Sequence, residues 1–432
     1  MRLLGGYIGE ADAAAGLFRE EIREKLSRLS EVASEKRLTL QARWAMMRSC
    51  EAGIRWKFMA THPKITAECA EYVDAYIARE IFALLPKDAT PTHKSRSLVY
   101  LPLATGGLGF LPFAQHADDL FRTTASMAVW PPLALTQENG ALERAVTIRT
   151  VAVAMRDLLA RPAVELLGSH EARVRADEST PWFLISAPVK CLRIRDDAWS
   201  LHMANYLRCE VPYPTCGGPC PHALSFDHSL CCHKCGAPYR KPRHSLVIST
   251  FRAVASAYGI QCSENFFGTL GVAPIAKRPD VIVYRNALDL KPLVLDMSTP
   301  HQAADHHFNA VSIRWQQKTH KYSEWKADLT EFRPFVVSPL ALFESRTLTE
   351  LDALAKLACR RGFARDCVNR IKVALVNFEP YRLASLRLRA ASGSLHFNHP
   401  EPLVGADEIS EDEREGASRA EGSSSSPPRR AA

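Results

Sequence analysis

The sequence predicts a multidomain chain: a mostly α-helical N-terminal half, a small metal-binding module and a mixed α/β domain, closed by a disordered tail. Three observations predict it. Apolar residues recur at helical spacing from Leu17 onward. Five of the 12 cysteines crowd between Cys216 and Cys235, with histidines among them. Two short β-branched and aromatic runs, 281–284 and 293–295, each adjoin an aspartate.

At 432 residues the chain has room for two or three domains, and 47% apolar with 24% charged residues is an ordinary globular balance. Net charge is +8, yet the stretch from Glu401 to Ala432 holds 8 acidic and 4 basic residues. The remaining body is therefore more basic than the total suggests, which points to a polyanion such as nucleic acid. No apolar run reaches the roughly 18 to 20 residues of a membrane span, and Gly5, Gly6, Glu10 and Asp12 interrupt any signal-peptide core. An intracellular setting follows as the expectation, so the cysteines read as metal ligands or thiols rather than a disulfide framework.

Phe18, Ile22, Leu26, Leu29 and Val32 trace one face of a first helix. Leu40, Trp44, Met47 and Ile54 trace a second. Val73, Ile77, Ile81 and Leu84 trace a third that stops before Pro86. On the opposite faces Arg19, Arg23, Lys25, Arg28, Lys36, Arg37, Arg43 and Arg48 form a solvated basic surface with the charge to follow a phosphate backbone. Residues 101–113 (LPLATGGLGFLPF) lack the spacing of a phosphate loop and read as an apolar connection under the helices. Residues 114–207 read as mainly helical, broken by prolines, with His116, His170 and His202 isolated.

Between Cys209 and His244, the best set of four ligands is Cys216 and Cys220, then His228 and Cys232. Zn²⁺ takes four tetrahedral sulfur or nitrogen ligands, and two close pairs joined by a loop supply them. Cys231 and Cys235 fit the fourth place as well.

Arg278, Pro279 and Asp280 lead into the first apolar run, and the second ends on Asp296. Adjacent strands would bring the two carboxylates together, the oxygen donors that Mg²⁺ prefers. Lys318, Lys321 and Tyr322 stand at i, i+3 and i+4 of a predicted helix, hence on one face. Carboxylates, a divalent ion and a lysine suit phosphodiester hydrolysis. The plainer alternative is a strand-end aspartate beside a lysine-rich helix in water.

The order of these features resembles one class of protein. Leu3-Leu4-Gly5-Gly6, Gln41-Ala42-Arg43, Arg48-Ser49-Cys50 and Gly106-Gly107-Leu108-Gly109 are similar to the region after the polymerase palm in non-LTR retrotransposon reverse transcriptases. Cys216, Cys220, Asp227-His228, Cys232, Arg243-His244, Arg278-Pro279-Asp280, Asp296 and Lys318-x-x-Lys321-Tyr322 resemble the C-terminal half of site-specific elements of the trypanosomatid spliced-leader-associated type. The resemblance implies a helical thumb-like region (1–130), a helical connector (131–207), a zinc module (208–245), a restriction-like endonuclease of the PD-(D/E)XK superfamily (246–392) and a disordered tail (393–432). It implies structural Zn²⁺, catalytic Mg²⁺ on Asp280 and Asp296, and Lys318 or Lys321 at the attacked phosphate with Tyr322 behind it. Arg243, His244 and Arg278 would contact nucleic acid, His244 having the alternative of a zinc neighbour. The implied activity is nicking of target DNA in the nucleus to prime reverse transcription of the element RNA, by a polymerase palm that this chain does not carry. The rival is a zinc-containing nucleic-acid-binding remnant without catalysis. One departure stands out: the superfamily's usual lysine, two residues after the second acid, is Ser298 here.

Overall fold

A computed structural model describes residues 2–3, 6–7, 10–129, 181–185, 190–211, 237–263, 280–284, 291–300, 310–322, 331–339, 341, 343–357 and 360–392. The predicted zinc ligands Cys216, Cys220, His228 and Cys232, together with Arg278, His170 and the tail from residue 393, lie outside these. The described chain is mostly helical, with a small four-stranded mixed sheet. No helix among the described residues is long and apolar enough to cross a membrane.

Strands β1 (Arg2–Leu3) and β2 (Gly6–Tyr7) form a short hairpin. It leads into α1 (Ala11–Ser34), α2 (Leu40–Ala60) and α3 (Pro63–Phe82), which bury Phe18, Ile22, Leu26, Leu29, Trp44, Met47, Ile54, Val73, Ile77 and Ile81. Those are the positions that the 3.6-residue period selects. Short helix α4 (His93–Tyr100) is fixed by a capping box between Thr92 and Ser95, and α5 runs Phe113–Val129.

The residues that carry the thumb-like resemblance have structural work here. Buried Gln41 donates from Nε2 to Ile185 O at 2.6 Å and accepts from Ile194 N–H at 3.1 Å. Arg43 donates to Leu38 O and Ala33 O, closing the end of α1. Arg48 donates to Leu108 O at 2.7 Å and lies over the Phe110 ring, so it fastens the glycine-rich connection to α2. Leu108, Phe110 and Phe113 are buried, the packed apolar connection that the sequence suggested.

Trp182, Phe183 and Trp199 join Trp44 and Phe110 in one aromatic cluster, with Trp44–Trp199 centroids 5.6 Å apart. Aromatic rings bury too much apolar area to be left outside a core, so α6 (Asp196–Tyr206) docks on α2. The two Asp-Asp pairs of the chain, Asp118-Asp119 and Asp196-Asp197, sit in helices α5 and α6 rather than in a strand hairpin.

Helix α7 (Ala237–Ala257) runs through the boundary expected at 245–246 with Pro242 inside it. The proline removes one backbone donor in the early turns, and the helix continues. After it come β3 (Cys262–Ser263), β4 (Val281–Val283), β5 (Leu293–Ser298), α8 (Ala310–Lys321) and β6 (Glu331–Val336), in sheet order β3-β4-β5-β6. The first three strands are antiparallel, and β6 runs parallel to β5 after the α8 crossover. Pro334 is tolerated because β6 is the edge strand. Glu331 N–H donates to Pro292 O and Val337 N–H to Ser298 O, so odd-numbered residues donate to β5 and the backbone nitrogen of buried Pro334 is not called on by that ladder. Helices α9 (Ser345–Leu357) and α10 (Phe363–Ser392) complete the unit, α10 packing along α7. Asn377 on α10 ties it to the helical half, accepting from Arg195 N–H at 2.9 Å and donating to Arg193 O at 3.1 Å.

Candidate active site

Strand β5 is buried along its whole length, Asp296 included at 3% exposure. The apolar run suggested a strand ending at Asp296. The strand instead continues to Ser298, because Met297 and Ser298 find ladder partners in Phe335 and Val336 of β6. Side chains alternate along it. Leu293, Leu295 and Met297 enter the main core, leaving Val294, Asp296 and Ser298 on the other face.

A carboxylate at such depth needs a partner. Lys318 on α8 supplies it: its Nζ donates to Oδ1 and Oδ2 of Asp296 at 2.7 Å each. Both side chains are almost fully covered, at 11% exposed for the lysine and 4% for the aspartate.

Asp280 stands just before β4, its N–H bonded to Leu295 O at 2.9 Å. Its Oδ2 accepts from Met297 N–H at 2.6 Å and from His244 Nε2 at 3.2 Å. The same His244 nitrogen lies 3.1 Å from Met297 O. Both neighbours of Nε2 are acceptors, so that nitrogen carries the hydrogen. The β4–β5 register, carried one residue on, sets Asp280 opposite Asp296, and each carboxyl acts on the titration of the other.

Two carboxylates so close cannot both ionise freely. Burial pushes Asp296 above the usual range and the charge of Asp280 adds to this, outweighing Lys318. Burial pushes Asp280 up too, but the bond and charge of His244, with the bonds from Asp296 and Met297 N–H, hold it below that range. The Asp280 hydrogen bond raises His244 against the opposing effect of burial. Asp280 is thus the ionised member of the pair and Asp296 the more readily protonated one.

Tyr322, one residue past α8, is buried at 3% and stacks on Phe332 of β6 with centroids 4.2 Å apart. Burial, then the charge of Asp296 and a bond to it, push its hydroxyl up. Lys321 is exposed and donates to the Tyr322 hydroxyl at 3.2 Å. Of the two lysines, Lys318 therefore touches the Asp296 carboxylate and Lys321 touches the tyrosine. Arg243, next to His244 on α7, is buried at 2% exposure.

One contact had no counterpart in the sequence reading. Arg314, four residues before Lys318 on α8, donates from Nε to Ser298 Oγ at 3.0 Å. The signal was present as the i, i+4 spacing to Lys318.

Among the described residues no group of three or more His, Cys, Asp and Glu side chains is arranged to hold a metal ion. Mg²⁺ does not ask for an all-protein cage. It is held by one or two carboxylates and keeps waters and substrate phosphate oxygens for the rest. Asp280 and Asp296 fit that demand, and their mutual repulsion is what a divalent cation would relieve. No family model matches this chain, and no curated protein matches it.

Proposed function

We propose that this chain is the DNA-nicking endonuclease portion of a non-LTR retrotransposon protein, active with Mg²⁺ on a target DNA strand in the nucleus. The observation that carries the reading is the juxtaposition of Asp280 just before β4, Asp296 on β5 and Lys318 on α8 in one α/β unit. Asp280 and Asp296 would hold Mg²⁺. When bound, the ion offsets negative charge on a non-bridging phosphate oxygen.

The chain's own groups do the remainder. Lys318 lies against the Asp296 carboxylate and carries the positive charge to offset what develops on the attacked phosphate. His244 fixes the Asp280 carboxylate through Oδ2. Tyr322 sets the back of the site against Phe332. Cys216, Cys220, His228 and Cys232, with Cys231 and Cys235 as alternative fourth ligands, would hold Zn²⁺, a donor set of the sulfur and nitrogen kind that ion prefers. The basic body supports nucleic acid as partner, target DNA first and the element RNA second.

The test is nicking of supercoiled plasmid by the full chain with Mg²⁺. Activity that is lost in Asp280→Asn and Asp296→Asn, and kept in Arg37→Ala on the distant surface, is the expected result. Tight DNA binding without Mg²⁺-dependent nicking in wild type would overturn it in favour of a non-catalytic binding remnant. Metal analysis of Cys220→Ser and His228→Ala addresses the zinc separately, with unchanged zinc content excluding those ligands.

A further inference from the structure

Strand β5 and helix α8 meet in two successive rungs. The first is Asp296 with Lys318, at 2.7 Å. The second is Ser298 with Arg314, at 3.0 Å. Two residues along a strand advance roughly 7 Å, and four along a helix roughly 6 Å, so the rungs are spaced alike and face the same way. In the first rung a buried acid holds a buried ammonium. In the second, a small hydroxyl at a 7%-exposed residue holds a guanidinium on a half-buried one.

The difference in chemistry matters. Ser298 accepts through one hydroxyl and brings no charge, so Arg314 keeps its full positive charge where Lys318 is neutralised in part by Asp296. Only Nε is taken by the serine. Nη1 donates to Gln317 Oε1 at 3.2 Å, on the exposed side of the helix. A guanidinium anchored by one edge presents its remaining N–H groups in a fixed plane, the geometry that matches a phosphate. A structural arginine at this place would be expected to meet a carboxylate. This one meets a hydroxyl and an amide.

We propose that Arg314 is the phosphate-binding residue of this site, aimed by Ser298 at a DNA backbone phosphate beside the one that Lys318 serves. The inference rests on the nuclease reading for its substrate, but it concerns ground-state grip and not bond cleavage. It also gives a physical role to the serine that stands where a lysine was expected: the position delivers its positive charge from the neighbouring helix.

The test is the salt dependence of affinity for a duplex oligonucleotide, measured with the full chain without divalent metal. A single lost phosphate contact lowers the slope of log affinity against log salt by about one. Arg314→Gln is expected to show that loss and a uniform weakening over unrelated duplex sequences. Arg314→Lys is expected to recover the slope, because the slope counts charge. Thermal melting of each variant separates lost contact from lost fold. A slope unchanged in a folded Arg314→Gln, while wild type nicks plasmid, overturns the Arg314 assignment alone. A wild type that binds with an Arg314-dependent slope but never nicks overturns the nuclease and leaves the phosphate contact standing.

Discussion

Lys318 Nζ sits 2.7 Å from each carboxylate oxygen of Asp296, with both side chains shut away from water. Removing one member of such a pair leaves an uncompensated buried charge, which costs about 3–5 kcal/mol. Lys318→Met should therefore destabilise the fold by that order, and Asp296→Asn in the same chain should restore much of it. Urea denaturation of the two single variants and the double variant measures the coupling. Additive effects within about 0.5 kcal/mol would show that the pair does not exist in solution. Lys321→Ala, at an exposed residue, should change stability little.

His244 reaches Asp280 from another helix, through the one nitrogen that carries its hydrogen. Partners of this kind typically change metal affinity or activity by about 10- to 100-fold. His244→Ala should raise the Mg²⁺ concentration needed for nicking by that order while leaving DNA affinity intact. A glutamine places an amide N–H near the lost Nε2, whereas an asparagine places it near Nδ1. Rescue by His244→Gln and not by His244→Asn is expected from titrating Mg²⁺ against nicking rate. A drop in DNA affinity at unchanged Mg²⁺ requirement would instead make His244 a phosphate contact.

How much of this was legible in the sequence depends on distance along the chain. The lysine–aspartate geometry was within reach because a strand run and a helical spacing each constrain it locally. The His244–Asp280 contact was not, since it depends on how α7 docks against the sheet. Strand ends were misjudged for a related reason. Apolar content stops at Asp296, but a strand ends where its ladder ends, and the parallel partner carries β5 on to Ser298. Likewise the boundary expected at 245–246 falls inside α7, which passes through Pro242 and puts His244 and Val247 on one continuous helix. The connector expected at 131–207 reads as separate because nothing in its own composition says that Trp199 packs against Trp44, with Trp182 behind it.

Two glycines in the helical half should respond in opposite ways to alanine. A Cβ on Gly107 would fall 2.0 Å from Leu101 O, a backbone atom that has no room to yield. Gly107→Ala is expected to cost at least about 2 kcal/mol through overpacking. Gly16 lies inside α1 with nothing within 4 Å of such a Cβ. Gly16→Ala should stabilise by up to about 1 kcal/mol, the gain of alanine over glycine in a helix. Melting temperatures of the two variants decide it, and a Gly107→Ala that melts with wild type would mean that the connection is not packed as described.

Asp74 on α3 offers a test of pH dependence away from the carboxylate pair. Its Oδ1 accepts from Phe113 N–H at 2.8 Å and its Oδ2 from Ala114 N–H at 2.9 Å, at the start of α5. Burial nonetheless pushes its carboxyl up to about 6, more than those two bonds draw it down. The folded state then holds this proton more tightly than the unfolded chain does. The stabilisation is complete below the unfolded pKa of about 4, fades as pH rises toward about 6, and is absent above. An amide does not titrate, so Asp74→Asn should gain on wild type by up to about 3 kcal/mol between pH about 4 and about 7. Urea denaturation of both proteins across that range gives the difference directly. A difference that stays flat would mean that Asp74 ionises as a free carboxylate does, and that α5 is capped by an ordinary charge rather than a buried, reluctant one.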